Sequence, residues 1–308
     1  VEKTAVIVND FSQINVDARL VRQASERLIE MSNGCICCTL RQDLVDELAT
    51  LSEVPGLQRI VIESTGIGEP LPIAQAFHMG ELPELVRLEE IVTVVDSDRF
   101  WVDFERSDTI EDAEGNPVEA PLAPLLVDQL EYTNVILLNK ADRATPAELD
   151  RLEGFVRGLN PTAQIYRTVR CRLNPTLVRG TGLYDYEIGP ETEEWEAEWV
   201  KDGSEAEEYG FNTFTYFASE PFRHDAFMAL FDDWNETILR AKGFVRFVDH
   251  DPVGLSVVRD SLELTTFALE DGELDESWAD EPIEIVFIGQ QMPIEQIVER
   301  LDACLVEG

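Results

Sequence analysis

Apolar positions in the first half of the chain come as short β-branched runs separated by longer, helically spaced stretches. Thr4-Ala5-Val6-Ile7-Val8 reads as a buried strand. Gln58-Arg59-Ile60-Val61-Ile62, Ile91-Val92-Thr93-Val94-Val95 and Asn134-Val135-Ile136-Leu137-Leu138 read the same way. Between the first two runs, Leu40, Leu44, Leu48 and Leu51 mark one face of a helix. A second helical stripe runs from Ala147 to Leu159, behind Pro146, a residue suited to a first turn. Strands alternating with helices predict βα units around a mainly parallel sheet. Residues 106–120 are polar, include Glu114-Gly115-Asn116-Pro117, and are expected to form an exposed loop.

The pattern changes after a Glu-dense stretch from Glu187 to Tyr209, which reads as a linker. Phe211–Phe217 alternates like a strand and Pro221–Trp234 like a helix. Strand-like runs follow at Phe244–Val248, Leu255–Val258, Leu262–Leu269 and Ile283–Ile288. Pro293–Leu305, with Ile294, Ile297, Val298 and Leu301 on one stripe, predicts a closing helix. This order suits a small α+β domain with an antiparallel sheet. No internal repeat is visible.

At 308 residues and 44% hydrophobic content, the chain is long enough for two domains with separate cores. No apolar run is long enough to cross a bilayer, and Val1-Glu2-Lys3-Thr4 opens without a signal-peptide pattern, so a cytoplasmic protein is expected. The charge balance is extreme, with 62 acidic against 24 basic residues and a formal net charge of −38. Such a surface argues against a nucleic-acid partner, which needs a basic face. The acids are spread along the whole chain and resemble the composition of proteins from salt-loving organisms, since salt would screen their mutual repulsion.

Three motifs carry chemistry. Asn139-Lys140-Ala141-Asp142 follows a buried strand. An Asp at that point can accept both the N1–H and the exocyclic amine of guanine, a donor pair adenine lacks, while Asn and Lys brace the loop. Glu63-Ser64-Thr65-Gly66 also follows an apolar strand. There an acid can reach Mg²⁺ and a glycine can admit a terminal phosphate close to the backbone. Each has a plain structural reading, as a strand-to-helix loop or a helix cap. Their order, about seventy residues apart with each on a strand end, favours nucleotide chemistry. The third motif is Gly34-Cys35-Ile36-Cys37-Cys38, which holds three of the five cysteines. Thiolates favour zinc and similar ions, and three of them leave a tetrahedral site open, as suits a metal that must be released. Buried apolar cysteines and a thiol redox switch are the competing readings.

Taken together, these motifs resemble those of the CobW-type P-loop GTPases. Val8-Asn9-Asp10-Phe11 is similar to the family's first switch, with Asp10 in it. Ser32-Asn33-Gly34-Cys35-Ile36-Cys37-Cys38-Thr39-Leu40-Arg41 is similar to its metal motif. Glu63-Ser64-Thr65-Gly66 resembles its ExxG motif and Asn139-Lys140-Ala141-Asp142 its guanine motif. Arg240-Ala241-Lys242-Gly243-Phe244 and Val286-Phe287-Ile288-Gly289 resemble its C-terminal domain. The resemblance implies a P-loop-type α/β G-domain over residues 1–186, an acidic linker over 187–209 and an α+β CobW C-terminal domain over 210–308. It implies GTP on Asn139, Lys140 and Asp142, Mg²⁺ and the γ-phosphate near Glu63, Gly66 and Asp10, and zinc or cobalt on Cys35, Cys37 and Cys38. The activity implied is GTP-dependent delivery of that metal to a client metalloprotein. The oligomeric state stays open.

Some features depart from that pattern. No G-x-x-x-x-G-K-[ST] run occurs, although the family carries one before the strand that begins here at Thr4. Without it, tight GTP binding and hydrolysis are not expected from these residues alone. The expectation is a truncated stretch of a longer protein, with a sheet that lacks a central strand and has two bare edges. The alternative is a non-enzymatic metal-binding or scaffold protein that has lost its phosphate loop. Ser12-Gln13 stands where the family has Gly-Glu, and His78, His224 and His250 are assigned no role. Cys171 is a candidate for an extra ligand, and Cys304 is expected in the core.

Overall fold

The computed structural model describes residues 3–9, 28–31, 38–64, 66, 68, 70–111, 117–184, 211–231, 237–248, 250–259, 261–266 and 281–306. By compactness the chain forms two units. One comprises Val1–Ile91, Tyr132–Asn134 and Asn174–Glu191, and the other Val92–Glu131, Val135–Leu173 and Thr192–Gly308. The expected linker at 187–209 lies outside the described residues.

In the first unit, β1 (Lys3–Asn9) lies between β2 (Leu28–Met31) and β3 (Leu57–Glu63), all three parallel. The helix expected from the leucine stripe is α1 (Cys38–Ser52). Its Leu44, Leu48 and Leu51 are buried in one cluster with Ala5 and Ile7 of β1. Two short helices, α2 (Pro70–Ala76) and α3 (Leu82–Leu85), add Ala76 and Leu82 to that cluster. Among the described residues β3 pairs only with β1.

The second unit holds another parallel sheet, with β7 (Val135–Asn139) between β4 (Val92–Asp96) and β8 (Gln164–Arg167). β7 is buried from Val135 to Leu138, as a run of apolar residues covered on both faces should be. β4 pairs only with β7 among the described residues, and its Val94 is 54% exposed. Two helices supply the apolar cover, α5 (Ala123–Glu131) and α6 (Pro146–Leu159). α6 starts where the sequence places it because Thr145 closes a capping box. Glu148 N–H donates to the Thr145 hydroxyl, and Thr145 N–H donates to the Glu148 carboxylate. α4 (Phe100–Phe104) brings Phe100 and Phe104 onto Phe155 of α6.

The expected loop at 106–120 needs correction. Ser107–Glu111 and Pro117–Pro121 form an antiparallel ribbon, β5 and β6. Polar composition concealed it, because a two-stranded ribbon is held by its backbone pairing and needs no apolar face to be seen in sequence.

The C-terminal part of this unit is an antiparallel sheet in the order β12-β11-β10-β13-β9. Its strands are β9 (Phe211–Ala218), β10 (Ile238–Phe247), β11 (His250–Val258), β12 (Ser261–Thr266) and β13 (Ile283–Gln290). Two helices, α7 (His224–Phe231) and α8 (Ile294–Asp302), accompany it, and Phe227, Ile297 and Leu301 enter its core with Phe287. α7 starts later than the expected Pro221, because Phe222 bridges to Phe247 and Leu305 instead. Two glycines of the C-terminal motifs have packing reasons. A Cβ on Gly243 would lie 2.0 Å from the Glu284 carbonyl oxygen, and one on Gly289 2.1 Å from that of Thr237.

One apolar core joins this sheet to β7 and α6. Phe211, Val258 and Ile288 cluster with Leu138, Leu152 and Phe155. The Phe155 and Phe211 rings lie 5.8 Å apart. Beside them, Arg240 of β10 meets Glu131 at the end of α5, with their side chains 3% and 0% exposed.

Candidate nucleotide-binding site

The Asn139–Asp142 loop is built by its strand and its neighbours. β7 ends at Asn139, and Lys140 takes a left-handed conformation, with φ of 58°, turning the chain sharply away from the sheet. The Asn139 carboxamide oxygen accepts from the Cys171 backbone N–H at 2.8 Å and from the Thr168 hydroxyl at 3.2 Å. Ala141 N–H donates to the Thr168 carbonyl at 3.0 Å. The loops after β7 and β8 are therefore stitched together, and Arg170 and Cys171 make the second loop tight, with φ of 53° and 51°.

Lys140 donates from Nζ to Asp96 Oδ2 at 2.5 Å. Asp96 ends β4, and the backbone beside it continues the alignment, Ser97 N–H donating to the Asn139 carbonyl at 3.0 Å. The lysine is thus held by a carboxylate across the strand ends. Asp142 is exposed, and its carboxylate has no hydrogen bond or ion pair among the described residues. Three residues brace the loop while the fourth presents two free oxygens to solvent. That division of labour is what recognition of a base with adjacent N–H donors requires.

The sequence reading missed Asp96, Thr168 and the base of the Cys171 loop. It ended the third strand at Val95, one residue short, although an acid at the end of a parallel strand beside β7 was a readable signal. Cys171 acts through its backbone, for which the sequence carried no sign.

In the other unit, Glu63 ends β3 and is exposed, as is Gly66 beyond it. A Cβ on Gly66 would meet nothing within 4 Å, and its φ is not positive. Neither packing nor backbone strain calls for glycine there, in contrast to Gly243 and Gly289. An exposed carboxylate such as that of Glu63 is the hard oxygen donor that suits Mg²⁺. Cys38 is the first residue of α1. Asp10, Cys35 and Cys37 lie outside the described residues. Among those described, no group of three or more His, Cys, Asp or Glu side chains is arranged to hold a metal.

A parallel α/β sheet with a braced strand-end loop suits a nucleotide-binding domain, and the family comparison assigns that class. Residues 1–167 match the model of the CobW/HypB/UreG nucleotide-binding domain, and residues 211–305 that of the cobalamin synthesis protein CobW C-terminal domain. The chain belongs to the CobW/HypB/UreG family. It is 33% identical over 268 residues to the zinc-regulated GTPase metalloprotein activator 1 of Dictyostelium discoideum, covering 79% of this chain and 56% of that protein. It is 32% identical over 177 residues to the zinc chaperone CobW of Pseudomonas aeruginosa, covering 52% of this chain and 47% of that protein. The chain thus spans about half the length of the curated relatives it matches. Among solved structures it is similar to the Zn(II)-bound YjiA GTPase from E. coli, at 17% identity and a TM-score of 0.41, over 98% of this chain and 99% of that one. The fold assignment rests on the strand topology and the family match. No helix among the described residues is long and apolar enough to cross a membrane.

Proposed function

We propose that the protein containing this chain is a GTP-dependent metallochaperone that binds zinc and delivers it to a client protein. The observation that carries the reading is the Asn139–Asp142 loop, in which the Asn139 carboxamide oxygen and the Lys140 ammonium are held by neighbours while the Asp142 carboxylate has no partner among the described residues. Relatives named as zinc-regulated GTPase activators and zinc chaperones support both the nucleotide and the metal.

In this reading Asp142 accepts from guanine N1–H and N2–H. Asn139 holds the two base loops together, and Lys140 lines the base. Glu63, with Asp10, would hold Mg²⁺, which supplies charge neutralisation at the phosphates, and Gly66 admits the γ-phosphate to the backbone. The chain has no G-x-x-x-x-G-K-[ST] run, so the phosphate cradle is not assigned to any of its residues. Zinc is the cargo. Cys35, Cys37 and Cys38 offer three soft donors in four residues, which suits zinc and leaves a coordination position open for exchange. Cys38 opens α1 and Glu63 ends β3 in the same unit, so metal on the cysteines and Mg²⁺ at Glu63 would share that unit, through which nucleotide state would act on metal grip.

The test is base selectivity of the full-length gene product. Asp142→Asn should lose guanine nucleotide binding by at least about 100-fold, the scale of an unpaired buried hydrogen-bond set. It should gain xanthine nucleotide, whose C2 carbonyl accepts from the new amide. A variant that keeps its guanine preference would remove Asp142 from the base site and the reading with it.

A further inference from the structure

The turn that presents Asp142 carries a cation on either side of it. Lys140 stands two residues before the aspartate and Arg143 directly after it. Arg143 N–H donates to the Lys140 carbonyl at 2.8 Å, which closes the turn and keeps both basic residues within a side chain's reach of Asp142. An ammonium or guanidinium about 4 Å from a carboxylate is attracted to it even where water screens the pair. Yet neither cation pairs with Asp142. Lys140 Nζ donates to Asp96 Oδ2 at 2.5 Å, and Arg143 Nη1 lies 3.7 Å from Asp98 Oδ2.

Both acids come from the end of β4 and the loop behind it, and that loop is shaped toward the turn. Asp98 N–H donates to Asp96 Oδ1 at 3.2 Å, and Ser97 N–H between them donates to the Asn139 carbonyl at 3.0 Å. Asp96 thus uses one oxygen to order its own loop and the other to hold Lys140. Arg99, the next cation along, donates to Asp103 at 3.2 Å and leaves both acids to the turn. The two ion pairs are partly exposed to solvent, and pairs of that kind add little to stability. Their effect falls instead on which charges Asp142 has beside it.

From this geometry we infer that Asp96 and Asp98 are positioning residues for guanine, a role that rests on the base-site reading of Asp142 given above. They occupy the two cations that would otherwise pair with Asp142, and so keep its carboxylate open to the N–H donors of the base. On a chain of net charge −38, loss of a carboxylate would by field alone favour an anionic nucleotide. Loss of Asp96 or Asp98 has the reverse effect, because the freed cation turns to Asp142 and competes with guanine for it.

The experiment measures the affinity of the full-length gene product for guanosine and xanthosine diphosphates at one fixed salt concentration, with thermal unfolding beside it. The variants are Asp96→Asn, Asp98→Asn, Arg143→Gln and the double variant Asp98→Asn/Arg143→Gln. Glu105→Gln, which removes an exposed carboxylate just past α4, is the charge control. Asp96→Asn and Asp98→Asn should each weaken guanosine diphosphate by about threefold to fivefold, the scale of one exposed ion pair, with the Tm of the control. Arg143→Gln alone should bind as the wild type does, and it should restore binding in the Asp98→Asn background. An ion pair that merely braced the loop would be lost equally from either side, so equal weakening by Arg143→Gln overturns the inference. Affinities in Asp96→Asn and Asp98→Asn that match the control overturn it as well. Asp142→Asn in the same series separates the two readings. A switch to xanthosine diphosphate there, with no effect of either acid, removes this inference alone, whereas a retained guanine preference removes the base site and the inference together.

Discussion

The Arg240–Glu131 pair offers the sharpest energetic prediction. Arg240 donates from Nε to Glu131 Oε1 at 2.8 Å and from Nη2 to Oε2 at 3.1 Å. Its Nη1 donates to the Ser256 hydroxyl at 2.8 Å and to the Val257 carbonyl at 3.3 Å. Arg240→Met would leave the Glu131 carboxylate, 0% exposed, without its counter-charge. Breaking such a pair from one side costs about 3–5 kcal/mol. Unfolding entropy of about 2.1 cal/mol/K per residue converts a loss of about 4 kcal/mol into a drop of roughly 6 °C in Tm for a chain of this length. Arg240→Met combined with Glu131→Leu should recover most of the loss, because replacing both members of a buried ion pair with apolar groups is often neutral. Denaturant unfolding of the wild type, the two single variants and the double variant, in high salt, gives the coupling energy directly. If Arg240→Met costs under about 1 kcal/mol, or if the double variant is no better than the worse single one, the pair does not hold β10 to α5 as argued.

Further predictions concern stability and packing. Burial first, and the 2.8 Å hydrogen bond to Asp302 second, push the Tyr216 hydroxyl above its usual range, and burial raises the Cys304 thiol. A raised folded-state value favours the protonated forms, so stability is complete below the ordinary titration range of these groups and falls as pH rises through about 9–10 and beyond. Chemical denaturation across pH 8–11 should show this decline, and Tyr216→Phe should make it shallower; an unchanged slope would contradict the assignment. Gly243→Ala should cost about 3 kcal/mol or more, because its Cβ would meet the Glu284 backbone at 2.0 Å, whereas Gly66→Ala should leave stability within about 0.5 kcal/mol. Equal losses at the two glycines, read by thermal unfolding, would undo the distinction between packing and ligand approach. Thr145→Ala should lower stability by about 1 kcal/mol through the lost cap on α6, and Thr145→Ser should not. A net charge of −38 predicts a Tm that rises through molar KCl, and a flat profile would refute a salt-adapted surface.

Element type was legible wherever one physical signal dominated. β7 announced itself as an unbroken apolar run because both of its faces are covered, and α1 as a leucine stripe because only one of its faces is. The β5–β6 ribbon was not legible, since backbone pairing alone defines it. At the site, Asn139, Lys140 and Asp142 were visible as a motif, but their partners were not. Asp96 and Thr168 are brought to the loop by parallel pairing of β4 and β8 with β7, a relation between strands more than twenty residues apart that no local pattern encodes. The Arg240–Glu131 contact was hidden for the same reason, being two charged residues that only the tertiary fold buries together. Conversely, Gly243 and Gly289 were readable as motif residues, yet their cause is a strand or turn approaching to about 2 Å of where a side chain would start.

The central claim is that nucleotide state controls the grip on zinc. It is tested most directly by measuring zinc affinity of the full-length gene product loaded with GDP and with a non-hydrolysable GTP analogue, beside Cys37→Ser/Cys38→Ser. A difference of about tenfold or more between the two nucleotides, abolished in the cysteine variant, is the predicted result, within the 5–150-fold range typical of coupled sites. Equal zinc affinity in the two nucleotide states would contradict the account, whatever the protein's GTPase rate.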